Sequence, residues 1–422
     1  MNTCSATTYT KRRVVITGGG LLSALGSDWN TSYASLKKLK NCIVRMNEWD
    51  RYPNMNTRLA CPVTAELPEF PRKKIRGMGR VALLALVSCE SALKLAGLES
   101  DDGVTAEELH NGRCGIAFGS SMGSLAAIMD FYKMLVDNDT SKISATTYIS
   151  SMPQTCAANL EVYYGLTGRL ITTNTACTSG SQSIGYAYET IAAGKQDIMI
   201  AGGAEELSAA DSAVFDTLFA TSTKNDTPEL TPRAFDKNRD GLVIGEGSGV
   251  LILEEYEHAV KRGAHIYAEL AGFGTNVDGT HITNPNASTM AVAMKLALED
   301  AGISPDQIGY VNAHATATKA GDIAETHATY SVFNRAVPVS TLKSYIGHTL
   351  GACGAIEAWL SVCMMNEGWF CPNLNLTDID PECAPLDYIT GSGRNLQTEY
   401  VMSNNFAFGG INTSLIFKRC VM

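Results

Sequence analysis

Short apolar runs with strand character alternate with helix-like stretches along the chain, and this alternation restricts the fold more than any other feature. The runs are "RVVITG" (13–18), "CGIAFG" (114–119), "RLITTN" (169–174), "DIMIAGG" (197–203), "GVLILEE" (249–255), "YVNAHA" (310–315) and "VMSNNFAFGG" (401–410). Between the first two lies the helix-like "VALLALVSCESALKLAG" (81–97). Such a pattern predicts an α/β fold in which helices cover sheets. At 422 residues the chain exceeds the size at which one hydrophobic core stops growing, so two core-forming halves are expected, 11–260 and 261–420.

Composition narrows the class. Apolar residues make up 45% and charged residues 18%, with 38 glycines, a balance suited to a tightly packed enzyme-like globule. A formal charge of −10 argues against a general nucleic-acid binder, which needs a basic face. Twelve cysteines without a CxxC pair fit reduced thiols in a cytoplasmic protein better than a disulfide scaffold. No apolar run reaches the ~18 residues of a membrane helix, so no membrane partner is expected.

"KRRVVITGGGLLSALG" imitates the start of a signal peptide, but Val14–Thr17 reads better as a first strand that turns at Gly18–Gly20. A dinucleotide-binding reading of the same glycines fails. Counting G-x-G-x-x-G from Gly18 puts Ser23 at the third glycine, and "KKLKNCIVRM" offers no acidic residue for a ribose.

"NTACTSGSQSIG" (174–185) follows a strand-like run and opens a helix, placing Cys177 at or just before a helix N-terminus, where backbone N–H groups favour thiolate. Its small residues allow close backbone approach, so the helix is expected to be buried with the thiol at the end of a tunnel. Alone, an inert buried thiol explains Cys177 equally well. Its company favours chemistry: His314 sits after an apolar strand in a threonine-rich turn, and "LKSYIGHTLGACGAIEA" places Lys343 and His348 at a second glycine-bordered helix start. The other five histidines, His110, His258, His265, His281 and His327, have ordinary surroundings. The two helix starts echo one another when Cys177 is set on His348, pairing Gly180 with Gly351 and Ala187 with Ala358, as a duplication would.

With "GKQDIMIAGGAEE", "FDKNRDGLVIGEGSG", "RGAHIYAE", "NAHATATKAGD" and "SNNFAFGGINTS", these motifs make the chain resemble a β-ketoacyl-acyl carrier protein synthase of the synthase I/II group, leaning to synthase I. The resemblance covers nearly the whole chain. It implies a thiolase-like five-layered α-β-α-β-α fold with duplicated halves, and a homodimer or a heterodimer with a homologous chain. It also implies decarboxylative condensation of an acyl thioester on Cys177 with malonyl-acyl carrier protein, without metal or other cofactor, both substrates riding on phosphopantetheine. His314 and His348 would stabilise the decarboxylation charge, the amides of Cys177 and Phe408 would form the oxyanion hole, and Lys343 would organise the site electrostatically. Glu325 matches the acid that fixes Lys343 or a bound cation. Thr316 and Thr318 match hydroxyls that bind the pantetheine arm, Met122 and Phe408 the gate of the acyl pocket, and Arg72, Lys73, Lys74 and Arg76 the docking site for acidic carrier protein.

The chain departs from the family pattern at Ala315, Lys319, Ala407 and Ile411. Ala407 stands where glycine is usual in the last loop and is expected to stiffen it. These departures line the entrance, and the expected role is an elongating enzyme for fatty acids or for a specialised polyene or polyketide-like chain. The alternative, a chain-length partner that only shapes the cavity of an active homologue, is disfavoured because Cys177, His314, Lys343 and His348 are all present. Thiolase-type cleavage is disfavoured because "NNFAFGGIN" lacks a second cysteine.

Overall fold

The computed structural model describes residues 11–420. Among them, eleven strands form one sheet. From its centre the first half runs Val14–Leu22, Gly247–Glu255, Ile198–Glu205, Cys114–Gly119 and Leu170–Thr173. The second runs Ala268–Val277, Ile411–Lys418, Tyr400–Ala407, Ile308–Asn312 and Pro338–Ser340, with Asp387–Tyr388 added at its edge. In each half the first two pairings are antiparallel and the next two parallel. The halves therefore share one topology, and they meet through a short antiparallel contact, Val15 with Glu269 and Ile16 with Ala268.

Helices Ser179–Ala192 and Cys353–Glu367 pack on each other and on strands of both halves, while Arg80–Leu95 covers the outside of the first half and Ala287–Ala301 that of the second. This is the five-layered thiolase-like arrangement. Residues 353 to 365 are buried around the whole helix, as a central layer requires.

Two expectations need correction. Gly18–Gly20 does not turn: the strand continues to Leu22, with a bulge between Ile16 and Gly18. The glycines are there because both faces are packed against helices. A Cβ on Gly18 would lie 2.4 Å from the Ala92 carbonyl oxygen, one on Gly20 2.0 Å from that of Ser88, and one on Gly19 2.3 Å from the Trp359 ring. The duplicated helices also match in a different register. Tight turns Ala176–Thr178 and Leu350–Ala352 precede helices starting at Ser179 and Cys353, and Ala176 and Leu350 share a left-handed backbone, φ 51° and 46°. Gly180 thus corresponds to Gly354 rather than Gly351, because sequence similarity among small residues could not choose between neighbouring registers.

Gly20→Ala is expected to destabilise the protein by about 3 kcal/mol, since the added methyl meets helix backbone that cannot rotate away. Thermal unfolding checks this; a midpoint within ~1 °C of the parent would contradict so close a contact.

Candidate active site

Each catalytic candidate is fixed by its backbone first. Cys177 lies in the turn after strand Leu170–Thr173, before helix Ser179–Ala192. The His348 N–H donates to the Val243 carbonyl at 2.7 Å, and its carbonyl accepts from Gly245 N–H at 2.9 Å. His314 follows strand Ile308–Asn312, and Glu325 accepts its N–H at 2.7 Å and that of Ala315 at 2.6 Å. Ala315 and Ala317 take positive φ, 30° and 65°, so the absence of glycine here carries a backbone cost.

These elements bring three groups together. His348 Nε2 lies 2.9 Å from Cys177 Sγ, the imidazoles of His314 and His348 stand perpendicular with centroids 5.1 Å apart, and the sulfur and ring nitrogens lie within 4.8 Å of one another. Burial pushes the Cys177 thiol up to about 11, against the pull of Lys343 and of the backbone N–H groups of Phe408 and Cys177. Those are the amides expected to form the oxyanion hole. Burial, with Lys343 nearby, holds both histidines well below the ordinary imidazole value, so both rings are neutral near pH 7.

Lys343 is buried, and its partner is Glu357, not Glu325: Lys343 Nζ donates to Glu357 Oε1. Glu325 instead spends both oxygens on the His314 turn, and burial pushes its carboxyl up to about 8. Glu357 and Asn405 are the residues missed by sequence reasoning. Asn405 Nδ2 donates to Glu357 at 2.8 Å and approaches His314 Nδ1 at 3.4 Å. The available signal for Glu357 was the buried-lysine argument itself, applied to a glutamate on the helix after His348.

A cavity of about 280 Å³ opens onto this cluster, lined by Cys177, His314 and His348 with Thr316, Thr318, Phe215, Ala407 and Phe408. The hydroxyls of Thr316 and Thr318 are 3.0 Å apart, and the Phe215 and Phe408 rings pack tilted at 40° with centroids 4.9 Å apart. Lys343 and Met122 do not line it; Met122 sits in the loop after strand Cys114–Gly119. Ala407 ends strand Tyr400–Ala407, paired with Ile411, in ordinary extended backbone. Arg72, Lys73, Lys74 and Arg76 are exposed in the turns before helix Arg80–Leu95. The five histidines read as ordinary do not line the cavity. Among the described residues no helix is long and apolar enough to cross a membrane.

Removing Lys343 alone leaves Glu357 buried without its cation, so Lys343→Ala is expected to cost about 3–5 kcal/mol, whereas Lys343→Met with Glu357→Gln recovers most of it. Chemical denaturation of the three proteins checks the difference.

Residues 11–259 match the family described as "Beta-ketoacyl synthase, N-terminal domain", and residues 267–377 its C-terminal domain. The chain is 40% identical to 3-oxoacyl-(acyl-carrier-protein) synthase 2 of Vibrio cholerae, over 97% of this chain and 99% of that one. It is 36% identical to 3-oxoacyl-(acyl-carrier-protein) synthase 1 of Haemophilus influenzae, over the same shares. Both names thus occur among its relatives. The crystal structure of a beta-ketoacyl synthase from Burkholderia phymatum superposes with a TM-score of 0.94 at 55% identity, covering 97% of this chain and all of that one. By the residues matched and the full-length identity, the chain belongs to the beta-ketoacyl synthase family.

Proposed function

We propose that the protein is a β-ketoacyl-acyl carrier protein synthase, which joins an acyl group held on Cys177 to the two-carbon unit of malonyl-acyl carrier protein. The observation that carries this reading is the Cys177 sulfur at the cavity wall, 2.9 Å from His348 Nε2 and facing two backbone N–H groups. In the first step the sulfur attacks the carrier's thioester; the acyl group moves to Cys177, and its proton leaves on the pantetheine thiol. The oxyanion formed on the way is met by the amides of Cys177 and Phe408, which are fixed before reaction. Malonyl thioester then loses carbon dioxide, and the negative charge that collects on its carbonyl oxygen is met by N–H groups of His314 and His348. Attack of the resulting carbanion on the acyl carbon expels the Cys177 thiolate. No cofactor is called on, since decarboxylation itself makes the carbanion.

Neutral rings suit this task, because an imidazolium would protonate the carbanion it is meant to stabilise. Thr316 and Thr318, on the cavity wall, would hold the pantetheine arm, and Phe408 would gate the acyl end. Lys343 would keep the rings neutral through its charge. The exposed cluster Arg72, Lys73, Lys74 and Arg76 would receive the acidic carrier. Pairing with a second, like or homologous, chain is supported by the edge strand Leu170–Thr173 and by Met129, Tyr132, Leu135 and Val136, which are 48–70% exposed on helix Leu125–Asp137. Division into halves 11–260 and 261–420, and a cytoplasmic compartment suited to twelve cysteines without a CxxC pair, belong to the same reading.

Cys177→Ala is expected to abolish acyl loading from acyl-acyl carrier protein, read by intact mass; unchanged loading would refute the nucleophile. His314→Ala or His348→Ala should slow condensation by about 10²–10³-fold, the usual cost of one fixed donor. Because both folded imidazoles lie well below 6.5, their neutral forms persist as pH falls through that value. The condensation rate should therefore stay level from pH 7.5 to about 6; an acid limb centred near 6.5 would contradict the burial argument.

A further inference from the structure

The acidic pair that ends "GKQDIMIAGGAEE" takes no part in the chemistry above. Glu205, the last residue of strand Ile198–Glu205, is 1% exposed. Its Oε2 accepts the N–H of Ser121 at 2.8 Å and that of Gly351 at 2.9 Å, and its Oε1 accepts that of Met122 at 3.2 Å. One carboxylate thus joins two segments 230 residues apart, the loop at 120–122 and the turn that begins at His348.

That loop is in turn fastened to the nucleophile's segment. Asn174 Nδ2 donates to the carbonyls of Ser120 and Ser121, both at 3.0 Å, and Ser120 N–H donates to Thr173 at 3.3 Å. Neither turn is relaxed: Ala176 precedes Cys177 at φ 51°, and Leu350 follows His348 at φ 46°. Left-handed residues other than glycine persist only where their surroundings over-determine them. At Leu350 the next N–H, that of Gly351, ends on Glu205. The approach is close enough that a Cβ on Gly351 would lie 2.8 Å from Glu205 Oε2 and 2.7 Å from Ser121 N. Glu206 makes a useful contrast. It accepts the N–H groups of Val81 at 3.0 Å and Leu125 at 2.7 Å, which begin two outer helices and touch neither turn.

We propose that Glu205 is a positioning residue, which clamps the Cys177 and His348 turns together and so sets the 2.9 Å contact between sulfur and imidazole. The proposal rests on Cys177 being the acyl acceptor. Replacing one carboxylate oxygen by an amide turns an acceptor toward backbone N–H groups into a donor, so Glu205→Gln opens the clamp with little change in volume. Glu205→Asp keeps the carboxyl group but lacks the reach to hold both segments.

The test uses the full-length protein, with acyl-acyl carrier protein as substrate and thermal unfolding as the check on folding. Glu205→Gln should load Cys177 about a hundredfold more slowly with KM for the carrier unchanged, as expected for a misplaced reacting pair. Glu205→Asp should fall between it and the parent, and Glu206→Gln should lower the melting temperature without changing the loading rate per folded molecule. Loading by folded Glu205→Gln at the parental rate overturns the proposal. So does failure of both Glu205 variants to fold, which would make the residue a folding determinant. If the parent itself does not load, the nucleophile assignment fails instead, and the two failures are distinguished by that control.

Discussion

The structure hangs on one close crossing, where the starts of two buried helices touch through glycine. A Cβ on Gly180 would lie 2.9 Å from the Gly351 carbonyl oxygen and 3.0 Å from Ala355 N; one on Gly354 would lie 2.6 Å from Ser181 N. The relation is reciprocal, as two equivalent helices meeting about a pseudo-twofold axis require. Any larger side chain would drive the helices apart, and Cys177 and His348, which sit in the turns leading into them, would separate with them. Gly203 extends the contact into the sheet, its Cβ position lying 2.3 Å from the Gly351 oxygen. The conformational entropy that these glycines surrender on folding is therefore tied to the distance between a sulfur and an imidazole.

Placing reactive groups at the foot of a buried crossing sets their protonation. Burial raises the thiol and, together with the Lys343 charge, lowers both imidazoles. The second effect serves decarboxylation; the first opposes attack, and is offset by two backbone N–H groups and the Lys343 charge. Lys343 itself is held buried by Glu357, and Glu357 is held by Asn405. A chain of paired groups thus runs from Asn405, on strand Tyr400–Ala407, through Glu357 to Lys343, whose charge acts on the sulfur, each of the three buried and hydrogen-bonded, as burial of charge demands.

Much of this was legible in the residues. Alternation located the strands that carry Cys177 and His314, and the small residues after Cys177 announced a buried helix. What escaped was which element lands on which. Gly18–Gly20 read as a turn because glycine's conformational freedom is a local property, whereas the need for bare backbone against Ser88, Ala92 and Trp359 arises only after folding. Setting Cys177 on His348 misjudged the repeat by three residues, since one chemical role does not fall at equivalent backbone positions in the two halves. Glu325 was matched by its place in a motif to an acid that fixes Lys343 or a bound cation; the salt bridge of Lys343 goes to Glu357, a carboxylate supplied by the next helix. Ala407 stands extended and paired with Ile411 at the end of its strand, so the left-handed conformation open to glycine is not used there.

Strain shows where the fold concentrates its constraints. Ala176, Leu350, Ala315 and Ala317 all carry side chains in left-handed backbone, at roughly 1 kcal/mol each, and all border the catalytic cluster. Each is met by a fixed acceptor or donor: Ser179 Oγ donates to the Ala176 carbonyl at 2.7 Å, Glu325 accepts the Ala315 N–H, Asp322 accepts the Ala317 N–H at 3.1 Å, and Glu205 holds the residue after Leu350. Three buried carboxylates are thus committed to backbone geometry around the site. Glycine at these positions would remove the strain but leave each turn free to adopt other conformations, so the alanines and the carboxylates act in the same direction, toward a single backbone path. The glycines that do take positive φ beside the cavity, Gly409 and Gly410, lie in the turn between the paired Ala407 and Ile411, where no such carboxylate is needed to hold a strained side chain.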